Sequence, residues 1–242
     1  MSEWAPKRFW KKTEASATQD GFGVLLDGRP VRTPAKAVLN VPSKALADRI
    51  AAEFDAQTDK IDPTTMPFTR TANAAIDKVS VQHAEVADML ADYGDSDLLC
   101  YRASDPAELV QRQSDLWDPL LEWAAQVLNA RLEPRIGVIH ATQSAKPLHV
   151  LRTKVHDMSA FELAAFHDLV SISGSLILGF AAKFRAYPAE TLWDLSRLDE
   201  TWQEEQWGVD DEAQKAAEHK KAGFLHASEF ISLVDTNTQA YR

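Results

Sequence analysis

GFGVLLDGRPVRTPAKAVLNVPSKALADRI, residues 21–50, decides the N-terminal part of the fold. Asp27-Gly28 stands between two extended runs, and that pair suits the primed two-residue turn of an antiparallel hairpin, where both central residues need positive φ. VLNVP, residues 38–42, reads as a further short strand that Pro42 closes. Ser43 then has the chemistry of an N-cap, and Leu46, Ile50 and Phe54 recur at the spacing of one helical face. Strands within 8–42 and one covering helix predict a small β-rich domain over 1–66.

After Asp62-Pro63 and Met66-Pro67 the strand signals nearly vanish. Ala72, Ala75, Ile76 and Val79 keep helical spacing, Val86, Met89 and Leu90 continue it, and Gly94 is expected to stop it. Asp105, Pro106 and Glu108 read as N-cap, N1 and N3 of another helix, and Asp118-Pro119 as a restart running through LLEWAAQVL. Gly137-Val138-Ile139 is a short apolar insert that fits no element. Ser159 and Glu162 form a capping box for a long apolar helix containing Ser173-Gly174-Ser175, and Pro188 opens the next helix. The predicted class is α+β: a small β-rich N-terminal domain with one helix, then a larger all-helical C-terminal domain over 67–242.

Composition excludes several functions. Thirty-six acids against 26 bases give a net charge of −10, which opposes nucleic acid and anionic membranes. The most apolar stretch, LVSISGSLILGFAA at 169–182, is shorter than the roughly twenty residues of a membrane span. One cysteine, Cys100, allows no internal disulfide and no cysteine-based zinc motif, and the start MSEWAPKRFWKK lacks a signal or transit pattern. A bacterial cytoplasm is the expected location. No glycine-rich phosphate loop, GxSxG elbow, HExxH or i, i+4 histidine pair occurs, so neither cofactor nor metal nor catalytic residue is expected. Glu200 and Glu204, one turn apart, leave a carboxylate-dependent enzyme as an alternative.

LSRLDETWQEEQWGVDDEAQ, residues 195–214, mixes seven acids with two tryptophans. Projected as one helix over 192–207, Leu195, Leu198 and Trp202 form a core stripe, while Trp193, Arg197, Glu200, Glu204 and Trp207 line the opposite face. Gly208 ends that helix, and Asp210 or Asp211 caps the next. A solvated face with local Arg197 pairs and a protein-binding patch both satisfy this spacing.

The strings LDGRPVRTPAK (26–36), MPFTRTANAAID (66–77), DLLCYR (97–102), WDPLLEW (117–123) and LDETWQEEQWGVDDEA (198–213) resemble, in order, the ATP synthase assembly chaperones that handle the alpha subunit of the catalytic sector. Ser96 stands where threonine is expected. The resemblance covers about Arg8 to the late 220s, and the missing import sequence is similar to a bacterial member. It implies a chaperone that binds the free alpha subunit and shields its nucleotide-domain surface. The beta subunit would then replace it, without ATP hydrolysis by the chaperone. A general holdase without a single client is the other non-enzymatic alternative. Glu200, Gln203, Trp207 and Gly208 carry over as partner-binding positions, joined by Trp193 and Glu204 from the projected face. The expected state is a monomer. Arg70, Asn73, Asp97 and Arg102 stay open between internal hydrogen bonding and client contact.

Overall fold

The computed structural model describes residues 7–234. β1 (Thr13–Thr18) and β2 (Gly21–Leu26) pair antiparallel from Thr13 opposite Leu26 to Thr18 opposite Gly21. β3 (Arg29–Pro30) and β4 (Asn40–Val41) both pair with β2. The turn into β3 is the expected hairpin: Asp27 and Gly28 take φ of 48° and 80°. Asp27 is fixed further because its carboxylate accepts the Lys11 and Lys12 N–H groups, which holds it below the usual carboxylate range.

Ser43 accepts the Leu46 N–H and caps α1 (Lys44–Asp55). Leu46, Ile50 and Phe54 are buried, with Trp10 packed edge-on to Phe54. α2 (Pro67–Ala74) begins where Glu53 accepts the Phe68 and Thr69 N–H groups, at 2.7 Å each. Burial pushes that carboxyl up despite these donors.

The remainder is mostly helical. α3 (His83–Ala91) leads through a 3-10 turn containing buried Gly94 to β5 (Tyr101–Arg102). α4 (Ala107–Trp123), β6 (Arg135–Ile136), α5 (Ala145–His156) and α6 (Ala160–Ser173) follow. Then come α7 (Leu176–Lys183), α8 (Ala189–Ser196), α9 (Leu198–Trp207) and α10 (Asp211–Val234). β5 and β6 add a two-residue parallel pair to this helical region. Among the described residues no helix is long and apolar enough to cross a membrane.

By compactness, one unit gathers residues 7–83 with 159–165 and 229–234, and the other holds 84–158 and 166–228. The boundary expected at 66/67 rests on different grounds, since a composition shift is read linearly along the chain. In the first unit Arg49 pairs with Glu229 at 2.7 Å and lies over the Phe68 ring. In the second the core is built on Trp117, Phe166, Phe180 and Phe224. A Cβ on Gly179 would come within 2.8 Å of Val170 Cγ2, so glycine lets α7 approach α6 there.

Three expected helix readings are corrected. The apolar run 169–182 is two helices: Gly174 turns left-handed at φ 71°, and Ser175 caps α7 by accepting the Leu178 N–H. Ser173-Gly174-Ser175 is therefore a break, because cap chemistry overrides hydrophobic continuity. Asp118-Pro119 restarts nothing, since α4 runs through Pro119. The N-cap of α4 is Pro106 with no side-chain cap, and Asp105 instead accepts from the Ser104 hydroxyl.

Candidate functional site

The projected single helix over 192–207 is broken at Arg197, whose φ of −108° and ψ of 14° separate α8 from α9. The break has a packing cause. At 100° per residue, the buried Leu192, Trp193 and Ser196 of α8 fix one core direction, and Leu198 in the same straight helix would point about 190° away from it. Ending α8 at Ser196, whose hydroxyl donates back to the Trp193 carbonyl at 2.6 Å, lets Leu198 reach the core as well.

Trp193 must consequently be reassigned. It is only 5% exposed and its ring lies 6.1 Å from that of Phe224, so it is a core residue and not the near edge of an outward face. Trp202 is half-buried, with the Arg112 guanidinium 5.9 Å from its ring centre.

Of the expected face, Glu200, Glu204 and Trp207 lie within α9 alone. Glu200, Gln203, Glu204 and Trp207 follow the i, i+3, i+4, i+7 pattern of one stripe. Trp207 is 80% exposed, and Val209, which the sequence did not single out, is 58% exposed beyond Gly208. Gly208 takes φ 90° and its N–H donates to the Glu204 carbonyl, ending α9. Asp210 then accepts the Glu212 and Ala213 N–H groups and starts α10. The apolar hook Trp207-Gly208-Val209 is thus held between a finished helix and a capped one. WGVDD shows such a hook only once Trp207 is known to face water.

Charge around the hook is largely committed. Arg197 pairs with Glu200 at 3.3 Å and with Glu204 at 3.1 Å, leaving one carboxylate in excess. Glu205 accepts both arms of Arg112, at 2.6 and 3.0 Å, which lowers the carboxyl and raises the guanidinium. Gln113 donates to Asp199 at 2.7 Å. The cavity beside α9, about 420 Å³ and lined by Arg112, Leu116, Leu195, Leu198 and Thr201 among others, takes in neither Glu200 nor Glu204. Among the described residues no group of three or more histidines, cysteines or carboxylates is placed to hold a metal ion. Acid–base work by these two glutamates thus lacks a free pair of carboxylates, since Arg197 holds both.

Of the four open positions, two are internal. Asp97 is buried and accepts from the Ser175 hydroxyl at 2.8 Å, the Ile177 N–H at 3.0 Å and the Leu99 N–H at 3.0 Å, tying the 98–100 turn to the start of α7. Burial pushes its carboxyl up to about 6 against the pull of these donors. Arg102, also buried, donates to the Leu99 carbonyl and to Asp118 and lies over Trp117. Arg70 is exposed, with no side-chain hydrogen bond or ion pair among the described residues. Asn73 keeps a buried Oδ1 without a partner. Cys100 is a buried thiol pushed far up by desolvation, an inert core residue.

Comparison with known proteins places the chain. The family model described as ATP12 chaperone protein matches residues 7–125. The crystal structure of Atp12 from Paracoccus denitrificans is 45% identical, with a TM-score of 0.92 over 95% of this chain and 98% of that one. A single-substitution mutant of the same Paracoccus protein superposes over the same shares at 0.93. Protein atp12, mitochondrial, of Schizosaccharomyces pombe is 26% identical over 238 residues, 93% of this chain and 82% of that relative.

Proposed function

We propose that this chain, which belongs to the ATP12 chaperone protein family, binds the free alpha subunit of the ATP synthase catalytic sector. There it covers the nucleotide-domain surface that the beta subunit later takes. The chain is a chaperone and not an enzyme. The observation that carries the client reading is Trp207, a tryptophan left almost wholly in water on a charged helix, with Val209 beside it and Glu200 and Gln203 on the same stripe. Exposed aromatics rimmed by polar groups are the usual anchors of a protein interface. A chain of net charge −10 is suited to steering a protein partner with basic groups near its own patch. It acts as a monomer in a bacterial cytoplasm and is released by exchange, so it needs no nucleotide chemistry of its own.

Affinity capture from a bacterial lysate with the tagged chain tests this. The expected result is enrichment of the alpha subunit and its release when purified beta subunit is added. Equal capture of unrelated unfolded proteins would mean a general holdase and would refute the specific reading.

A further inference from the structure

The first three turns of α10 project from the fold. Residues 211–216 are exposed all round the helix, and 218–220 and 222 are exposed as well. Firm packing begins at Gly223, where an added Cβ would come within 3.2 Å of Ile172 Cδ1, and at Phe224, which is fully buried with its ring 6.1 Å from that of Trp193. Ahead of that point Lys221 lies 3.9 Å from Asp194, while Asp211, Glu212, Lys215, Glu218 and Lys220 make no ion pair among the described residues.

A helix that is polar all round and lacks i, i+4 ion pairs is held by little besides its own backbone. The packed part of α10 serves as its nucleus, so each exposed residue is gained or lost by propagation alone, worth roughly 1–1.6-fold per residue in good helix formers. Melting of the exposed turns therefore needs no unfolding of the core.

One residue opposes that melting. Asp210 Oδ1 accepts the Glu212 and Ala213 N–H groups at 2.9 and 2.8 Å, and the Asp210 carbonyl accepts the Gln214 N–H at 2.9 Å. All three bonds exist only while the first turn of α10 is helical. Asp210 directly follows Val209, and on the other side of Val209 the chain leaves α9 through Gly208 at φ 90°. Glycine takes either sign of φ freely, so the placing of Val209 beside Trp207 depends on the capped turn.

We propose that Asp210 is a positioning residue for the client: it caps an arm, residues 211–222, that in the free chain exchanges between helix and coil, and so sets the fraction of molecules that present Trp207 and Val209 together. This rests on the client reading of the Trp207 face. A client that touches both apolar side chains selects the capped arm, and its apparent Kd is the intrinsic one divided by that fraction. Replacing an N-cap aspartate by alanine costs about fivefold in helix formation, whereas asparagine caps as well as aspartate.

The test uses the full chain and purified alpha subunit. In the free chain, amides 215–220 are expected to exchange less than about twentyfold slower than in an unstructured peptide, and alpha subunit should slow them at least tenfold further. Asp210→Ala should weaken alpha-subunit binding at least threefold at unchanged melting temperature, and Asp210→Asn should bind within twofold of wild type. Ala213→Gly with Ala216→Gly, which leaves Asp210 and the hook untouched, should weaken binding at least fivefold. Stronger protection in the free chain, no slowing on binding, or unchanged affinity of the glycine variant each overturns the proposal. Asp210→Asn binding as weakly as Asp210→Ala overturns it in favour of a direct charge contact with the client. Failure of the wild type to bind alpha subunit refutes the client reading itself, whereas wild-type binding that the variants leave unchanged refutes the positioning role alone.

Discussion

Trp207→Ala isolates the client surface from the fold. A tryptophan side chain can bury about 200 Å². With 80% of Trp207 exposed, roughly 160 Å² remains for a partner to cover, about 4 kcal/mol at ~25 cal/mol per Å². Ordering the side chain costs about 1 kcal/mol of that, leaving about 3 kcal/mol, roughly a hundredfold in Kd. Because the ring contributes little to the core, the unfolding free energy should change by less than about 0.5 kcal/mol. Calorimetric titration of the alpha subunit into wild type and variant, with urea unfolding of both, measures the two quantities separately. A loss of affinity below threefold at unchanged stability would refute the placement of Trp207 in the interface. A parallel fall in stability would refute its exposure.

Glu200→Ala should leave stability within about 0.5 kcal/mol, since Arg197 keeps Glu204. If Glu200 meets a basic group of the client, binding weakens by about 2 kcal/mol or more, mainly in dissociation rate by stopped-flow. Gly208→Ala forces a side chain into φ 90° and should cost about 1–2 kcal/mol in urea unfolding while disturbing the hook. For Asp97 the carboxyl stands at about 6 in the fold against an ordinary 3.8, so the folded chain holds that proton more tightly than the unfolded one. Its contribution is full below about pH 4 and is lost as pH rises through 6. The stability difference between wild type and Asp97→Asn should therefore fall by about 1.4 kcal/mol between pH 5 and pH 8, where an increase would contradict the raised value.

Local chemistry was readable from the residues alone. Asp27-Gly28, Ser43, the Ser159 and Glu162 pair, Gly208 and Asp210 act through partners within about four positions, and the structure shows each in the expected turn or cap. The change from strand to helix signals gave the α+β class for the same reason, because strand and helix periods are properties of short windows. Periodicity also put Glu200, Glu204 and Trp207 on one face, which holds because all three lie in α9.

What only the tertiary structure decided was which side of each helix is covered. Trp193 and Trp207 sit on one side of a projected helix, yet one packs on Phe224 and the other faces water. A projection gives angles about an axis and cannot say where the axis bends or what neighbour lies against it. Asp97 and Arg102 have the same origin: the partners that make them internal lie at Ser175, Ile177 and Asp118. No window along the chain contains both Asp97 and the α7 start that it holds. Composition and spacing fix the local states of this chain, while burial, set by distant segments meeting, determines which of its polar and aromatic residues remain free for a partner.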